Sequence, residues 1–444
     1  MVDKKHILLY SLLFCYTFAF FIAGISVSIL LGGPLWLYAF LNKKFLNQIL
    51  QLLNYTYIKR VVKIWYLLVL LSLFFPLIYG TYDFSFFRLI GAQGIHYFSA
   101  FPVLAWLKYN KFSFEEVENA FIVIFIIQTI IQLIVVNNDF LGEKILAFNH
   151  FEPEKVLGPG SKIRGKALSA ATTYHLTMAY GIAFIIYIKS YLSKKVNIKN
   201  LLIGLSLFVG IFFAGRTGFV ACLIGVLGYL LNSKPTIKSK LIFVTKSIFL
   251  VTCLIFIFLI GISITFPSFY DMLNKQIFPY AFEFIYSIEE SGGVETQSTN
   301  RLMEMWETNF NYIEFIFGSG KYTNPDGSYY MHIDPGIIRH TLFMGIIGYA
   351  ILILYQLNLL PIWKFKGETK YYYCLILLFL CIMEFKCINL GVNKFAFSIS
   401  LLLSFSYLHL PHTKIFYEKN NVGLRDSSRS NKNGSSSQGV TERY

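Results

Sequence analysis

Residues 332–340 of this chain bring together His332, Asp334, Arg339 and His340, just ahead of the apolar run "TLFMGIIG". Charge at the edge of such a run costs free energy, so residues kept there usually have a task. A carboxylate or imidazole can take the proton from a hydroxyl nucleophile. A guanidinium offers a planar fork to phosphate or carboxylate. Asp334 is therefore the first candidate proton acceptor, with His332 and His340 behind it, and Arg339 is a candidate anion ligand. Simpler roles compete. Pro335 marks a helix start, so Asp334 is expected at or near the N-cap, and a histidine at an interface is often only hydrogen-bonded.

Three further arginines join the candidate anion ligands. In "AGRTGFVACLIG", residues 214–225, Arg216 occupies a glycine-flanked turn between two apolar runs. Close backbone approach and a following helix N-terminus would both stabilise an anion there, whereas a plain helical hairpin would let Arg216 snorkel to the interface. In "QSTNRLMEMWETNFNYIEFIFGSGKY", residues 297–322, Ser298 and Thr299 are cap-type residues, and Leu302, Met305, Trp306, Phe310, Ile313 and Ile316 recur at helical spacing. This predicts one amphipathic helix on the membrane surface with Arg301 in its first turn. "GSG" at Gly318 reads as a helix-terminating turn rather than a phosphate loop. Arg164 is the fourth candidate.

The elements that must position these residues are membrane helices. The chain has 444 residues, 55% hydrophobic, 18% aromatic and only 14% charged, with mean hydropathy +0.56. That combination excludes a water-soluble globule of this length. The fold class is all-α, a polytopic integral membrane protein of about twelve spans, near 7–23, 24–41, 61–79, 86–107, 114–136, 167–187, 201–214, 219–231, 241–265, 336–357, 371–383 and 395–410. The first two runs are either two spans or one long helix, and the first reads as a retained span rather than a signal peptide. Together these runs make one transmembrane domain over 1–410, with larger loops at 137–166 and 266–335.

Lysines at 4, 5, 43, 44, 59, 108, 111, 189, 194, 195, 199, 234, 238, 240, 364, 366 and 370 fall on one side of the alternating spans, with Arg60. The positive-inside rule makes that side cytoplasmic, puts both termini there, and turns the two larger loops outward. The tail over 411–444, rich in Ser, Asn and Gly, reads as a disordered cytoplasmic end. On this topology Arg88, Arg164, Arg216, Arg301 and Arg339 face outward, five of the nine arginines, while the inner loops rely on lysine. Each could pair with a loop acid such as Asp139, Glu143, Glu304 or Glu307. As a set they fit an external anionic ligand at the membrane surface, and a lipid-linked pyrophosphate has the right charge and depth.

Other chemistries lack their residues. Cys15, Cys222, Cys253, Cys374, Cys381 and Cys387 lie in or beside apolar runs without metal-ligand spacing, so no metal and no cofactor is expected. Walker, zinc and Ser-His-Asp signatures are missing. The net charge of +15 is topological, and no basic, aromatic-laced soluble domain offers a nucleic-acid surface. Glu384, Lys386 and Lys394 between the last two runs read as an interfacial ion pair.

"GRTG" at Gly215, "NRLMEMW" followed by "FGSGKY", and "DPGIIRHTLFMGIIG" resemble the O-antigen polymerases, the Wzy type of bacterial polysaccharide polymerase, and more distantly the O-antigen ligases. The resemblance covers most of the chain in topology and few residues in motif. It implies a multi-pass glycosyltransferase of the bacterial inner membrane that joins undecaprenyl-pyrophosphate-linked repeat units at the periplasmic face, without nucleotide sugar or metal. It further implies contacts with membrane lipids and with a chain-length regulator and flippase of the same pathway. Arg216, Arg301 and Arg339 match the family's outward arginines, and Asp334 matches its loop-to-helix acid. The ligases favour a histidine where Asp334 stands, which favours polymerase, although His332 keeps ligase open. A flippase or other transporter of the lipid-linked sugar is the alternative from a different class; it would keep loops short and place polar groups at mid-membrane.

Overall fold

A computed structural model describes residues 3–148, 167–171, 173–192, 197–232 and 297–412, with scattered positions between 241 and 288. The described chain is mostly helical, 78%, with few strands. Arg164, most of the 241–265 run, much of the two larger loops and the tail from 413 onward lie outside the described residues.

The first two runs are separate helices, α1 (Lys4–Phe18) and α2 (Val27–Leu41), joined by a hairpin that pairs β1 (Phe21–Ile22) antiparallel with β2 (Ile25–Ser26). An amphipathic helix, α3 (Lys43–Asn54), buries Phe45, Ile49 and Leu52 before α4 (Thr56–Ile78). The expected run 86–107 is two helices, α5 (Ser85–Gly91) and α6 (Gln93–Tyr109). Gln93 at their junction is held by tertiary bonds, donating to Gly391 O and accepting from Tyr355 Oη at 2.8 Å. Then come α7 (Phe114–Asn137), α8 (Asp139–Ala147), α9 (Tyr174–Tyr187) with a π-helical turn at Ile188–Leu192, α10 (Ile198–Ala214) and α11 (Gly218–Leu231). Short helices α12 (Pro267–Met272) and α13 (Phe278–Ala281) precede α14 (Gln297–Glu307), α15 (Tyr312–Phe317), α16 (Gly336–Leu359), α17 (Gly367–Glu384) and α18 (Lys394–His409).

α4, α7 and α16 are long and apolar enough to cross a membrane, and α2, α10 and α11 are shorter apolar helices. The start of α7 is set by a capping box, in which Ser113 Oγ accepts from Glu116 N at 3.2 Å and Glu116 Oε2 accepts from Ser113 N at 2.7 Å. At the centre α9 is buried from Leu176 to Tyr187 and packs against α7, α10, α11, α17 and α18. Outer faces carry exposed Leu70 and Phe74 on α4, Ile130 and Ile134 on α7, and Leu223 and Leu227 on α11. An apolar exterior around a core with buried polar groups is the arrangement that lipid, not water, favours. Lys189 is no solvated loop lysine: it is buried and donates to Glu118 Oε1 at 2.6 Å, while Tyr373 Oη donates to the same oxygen at 3.0 Å.

Two expected helices are broken. The single helix read over 297–317 divides at 308–311, where Thr308 Oγ1 bonds back to Glu304 O at 3.0 Å and Asn311 caps α15 through Ile313 N at 2.9 Å. Ser298 and Thr299 lie within the first of the two helices, Gln297–Glu307. The second break is in α16, at Gly345, whose φ of 70° and ψ of 175° interrupt the run read as continuous over 336–357. The freed carbonyls are taken by the "GSG" segment: Leu342 O accepts from Ser319 N at 2.7 Å, and Phe343 O accepts from Gly320 N at 3.0 Å. In lipid no water could do this, so a protein segment must.

Glycine is required on both sides of that junction. A Cβ on Gly345 would lie 2.5 Å from Ile316 O, and one on Gly318, at φ 85°, would lie 2.7 Å from Phe343 O. Gly327, at φ 80°, has open space around it, so Gly327→Ala carries only the left-handed cost of about 1–2 kcal/mol. Gly345→Ala adds a backbone collision to that cost. Thermal melting in detergent should show a modest drop for Gly327→Ala and a much larger drop, or no folded protein, for Gly345→Ala; equal melting would overturn the account of the break.

Candidate functional site

The site is built where the loop before α16 meets the start of that helix. Arg339 lies in the first turns of α16 with only 3% of its surface exposed. Its guanidinium carbon is 3.9 Å from the Tyr322 ring centroid and 3.5 Å from that of Tyr329, so the cation sits between two aromatic faces. Its Nη2 donates to Tyr322 O at 3.3 Å, while Nε and Nη1 have no hydrogen-bond partner among the described residues. Desolvated cation–π contacts are worth about 2 kcal/mol or more. They do not replace the hydrogen bonds that these two buried nitrogens, with three N–H groups between them, leave unmade, so the guanidinium has donors to offer an anion.

The two tyrosines are held by a loop that the connection between α4 and α5 anchors. Asp83 Oδ2 accepts from Tyr322 N and Thr323 N, both at 2.6 Å, and Asp83 Oδ1 accepts from Thr323 Oγ1 at 3.1 Å and Ser85 N at 3.0 Å. Thr81 Oγ1 donates to Gly320 O at 2.6 Å. An antiparallel bridge between Thr323 and Tyr329 closes the loop and brings Tyr322 and Tyr329 to opposite faces of Arg339. Burial pushes the Asp83 carboxyl up, but hydrogen bonds from Ser85, Thr323 and Tyr322 outweigh it, so the group titrates below the usual carboxylate range. Its folded pKa being depressed, the clamp is fully present above about pH 4, the ordinary carboxylate value, and is lost as pH falls through the lowered one.

His340 follows Arg339 and is fully buried, with its ring stacked on Tyr322 and on Tyr349. Its Nε2 is 3.6 Å from Glu384 Oε1, within reach of an ion pair but longer than a hydrogen bond. Both His340 nitrogens and Glu384 Oε1 lack a hydrogen-bond partner among the described residues. The other oxygen, Glu384 Oε2, is anchored by Asn389 N at 2.7 Å and Leu390 N at 2.6 Å. Glu384 therefore turns inward to His340 instead of forming the expected interfacial pair with Lys386 or Lys394, and the Lys394 ammonium lies over the Phe21 ring. A Cβ on Gly336 would lie 2.1 Å from Glu384 Oε1, so this carboxylate explains the glycine in "DPGIIRH".

Asp334 does not cap α16. The N-cap residue is Pro335, with no side-chain capping bond, because the chain turns into the helix one residue later than the Asp-Pro pattern implies. Asp334 is instead half-buried against α14, its N–H directed at Met305 Sδ at 3.4 Å. Burial raises its carboxyl pKa, against the charges of Arg301, Arg339 and Lys386, which favour ionisation. Arg301 is exposed on α14, one turn before Met305. His332 is exposed, on left-handed backbone at φ 57°. Arg216 pairs with Glu283, so the turn between α10 and α11 already holds a carboxylate. Arg164 lies outside the described residues. Thus the structure brings Asp334, Arg339 and His340 to one place, with Arg301 acting on Asp334 through charge.

Sequence reasoning missed Asp83, Tyr322, Tyr329 and the inward role of Glu384. An Asp two residues before Ser85 signals a local Asx turn, but nothing local in the sequence connects Asp83 to residues 240 positions away. No family model matches the chain, and neither a curated protein nor a solved structure matches it.

Asp83→Asn keeps the size of the clamp but replaces charge-assisted acceptors by a single amide oxygen, at a cost of about 1.5–3 kcal/mol. The loop should then open locally. Limited trypsinolysis in detergent should cut after the exposed Lys321 faster in Asp83→Asn than in the parent protein. Unchanged cleavage would remove Asp83 from its positioning role.

Proposed function

We propose that this chain is a membrane glycosyltransferase that joins saccharide repeat units carried on undecaprenyl pyrophosphate, as a polysaccharide polymerase. The observation that carries the reading is Arg339, a buried guanidinium held between Tyr322 and Tyr329 with two nitrogens unpartnered among the described residues, beside the half-buried carboxyl of Asp334. Leaving-group pyrophosphate needs a cation with hydrogen bonds to give, and an acceptor hydroxyl needs a base. In the proposed step the C1–O bond to pyrophosphate breaks and the bond from the acceptor oxygen to C1 forms. The hydroxyl proton passes to Asp334, and Arg339 and Arg301 hold the charge left on the pyrophosphate. His340 lies against Glu384 and stacks on Tyr322, so it is given no proton-transfer role in this step. It acts with Glu384 as a positioning pair under Tyr322, and the exposed His332 is the alternative proton acceptor.

This reading includes the full topology of about twelve spans, with both termini cytoplasmic and the loops at 137–166 and 266–335 periplasmic. Alkaline phosphatase fused after Asn149 and after Gly320 should be active; inactivity at both positions would overturn it. The break of α16 at Gly345 favours a second reading, a transporter of the same lipid-linked sugar, because discontinuous helices are common in transporters. The polymer assay separates the two, since a flippase variant leaves repeat units on the cytoplasmic side rather than unpolymerised at the periplasmic face.

Asp334→Asn should insert and accumulate normally yet lose about 10²-fold or more of the polymerisation rate, leaving single repeat units in a gel ladder. Because Asp334 must be ionised to accept a proton, and burial raises its pKa, the rate should fall with acidification at a pH above the ordinary carboxylate range. Arg339→Lys should also fail, since an ammonium keeps the charge but loses the planar fork that lies between the rings. A full ladder from either variant, at normal protein level, would return that residue to a structural role.

A further inference from the structure

On the other side of the Tyr322 segment lies an open cavity of about 780 Å3, within the range of small-ligand sites. Its wall includes Arg88, Lys321, Tyr79, Tyr82, Tyr330 and Asn324. The segment is shared: Tyr322 is buried against Arg339, while its neighbours Lys321 and Thr323 line the cavity.

The charge in this cavity is unbalanced. Asp83 is the acid on its wall, and its oxygens are already engaged by Ser85, Tyr322 and Thr323. The Arg88 side chain makes no hydrogen bond or ion pair among the described residues. Lys321 has an aromatic contact, its ammonium lying 5.5 Å from the Tyr330 ring centroid, and no carboxylate partner among the described residues. Tyr330 on the wall donates from Oη to Glu314 Oε2 at 3.3 Å. Two cations thus line the space, and neither is paired with a carboxylate among the described residues.

The cavity also has strained backbone. Tyr82 has φ 52°, a left-handed conformation that a non-glycine residue of its kind rarely adopts, and it leaves 69% of its surface exposed. Such an outlier, presenting a large ring at a cavity, points to a ligand that uses the ring face. Flat aromatic faces complement the C–H faces of a pyranose, and Asn324 with Thr323 can serve its hydroxyls. A guanidinium and an ammonium then have one natural counterpart on such a ligand, a carboxylate.

We infer that this cavity is a saccharide subsite for an acidic sugar, a uronic or related carboxylate-bearing residue of the glycan, with Arg88 and Lys321 on the carboxylate and the tyrosines on the ring faces. The assignment of binding stands on the cavity itself, and only the fate of the sugar, as the acceptor end of a growing chain, rests on the polymerase reading.

The test is saturation-transfer NMR on the full chain in nanodiscs. The probes are oligomers of galacturonate, glucuronate and N-acetylneuraminate, their methyl esters, and inorganic pyrophosphate. At least one acidic oligomer should bind, with its ester about tenfold weaker. Arg88→Gln and Lys321→Gln should each weaken it by about tenfold at unchanged melting temperature, and Tyr82→Ala should also weaken it. No binding by any acidic oligomer, or equal binding of acid and ester, overturns the inference. Complete displacement by pyrophosphate at equal concentration also overturns it, and reassigns the cavity to phosphate. Acidic-sugar binding together with a full polymer ladder from Asp334→Asn and Arg339→Lys would remove the proposed catalytic machinery and leave the subsite; loss of polymer in those variants with no sugar binding would do the reverse.

Discussion

Backbone N–H and C=O groups that are shut off from water must find partners inside the protein, and α16 meets that requirement at a break. Its left-handed Gly345 releases carbonyls that Ser319 and Gly320 take up. The segment that does so is one residue from Lys321 and two from Tyr322, so satisfying the break also brings the loop over the helix entry. Asp83 then holds Tyr322 and Thr323 by their amides, and the bridge to Tyr329 completes the aromatic pair around Arg339. Geometry at the cation is thus inherited from a backbone constraint several residues away, with glycine needed where the two segments of this junction touch.

Two groups of buried charge in the same molecule show how structure and function can differ in their demands. Glu118 receives Lys189 and Tyr373 within hydrogen-bond distance, and the Lys189 ammonium lies near the Phe114 and Tyr373 rings, so the pair is closed and ties α7 to α17 and to the turn after α9. Arg339, His340 and Glu384 are as deeply buried but left with unpartnered atoms among the described residues. An open set of this kind is costly unless a ligand or ordered water completes it. That difference, more than charge itself, separates a candidate site from a structural ion pair.

The apolar runs, their length and the rarity of charge determined by themselves a mostly helical chain in which α4, α7 and α16 are long and apolar enough to cross a membrane, because a long apolar run satisfies its own backbone only as a helix. The sequence also identified the segment 332–340 as chemically loaded, and placed Arg339 and Asp334 at the entry to α16. Local pattern reached less far where tertiary bonds override it. The surface helix over 297–317 divides because Asn311 starts a new cap, and Arg216 lost its open turn to Glu283, a partner 67 positions away. Lys189, read from its position as a loop charge, is drawn inward by Glu118.

Only the tertiary structure decided what surrounds the cation. Tyr322 and Tyr329 are two among 30 tyrosines, and Asp83 lies about 240 residues before the loop it clamps. The glycine of "DPGIIRH" could be read as a helix-start residue, yet its necessity comes from a carboxylate on α17 that fills the space where a side chain would be. Periodicity and capping report contacts along one helix, within a few residues of each other. The hydrogen bonds that make this site join distant segments, and their free energy depends on burial that exists only once the helices have packed.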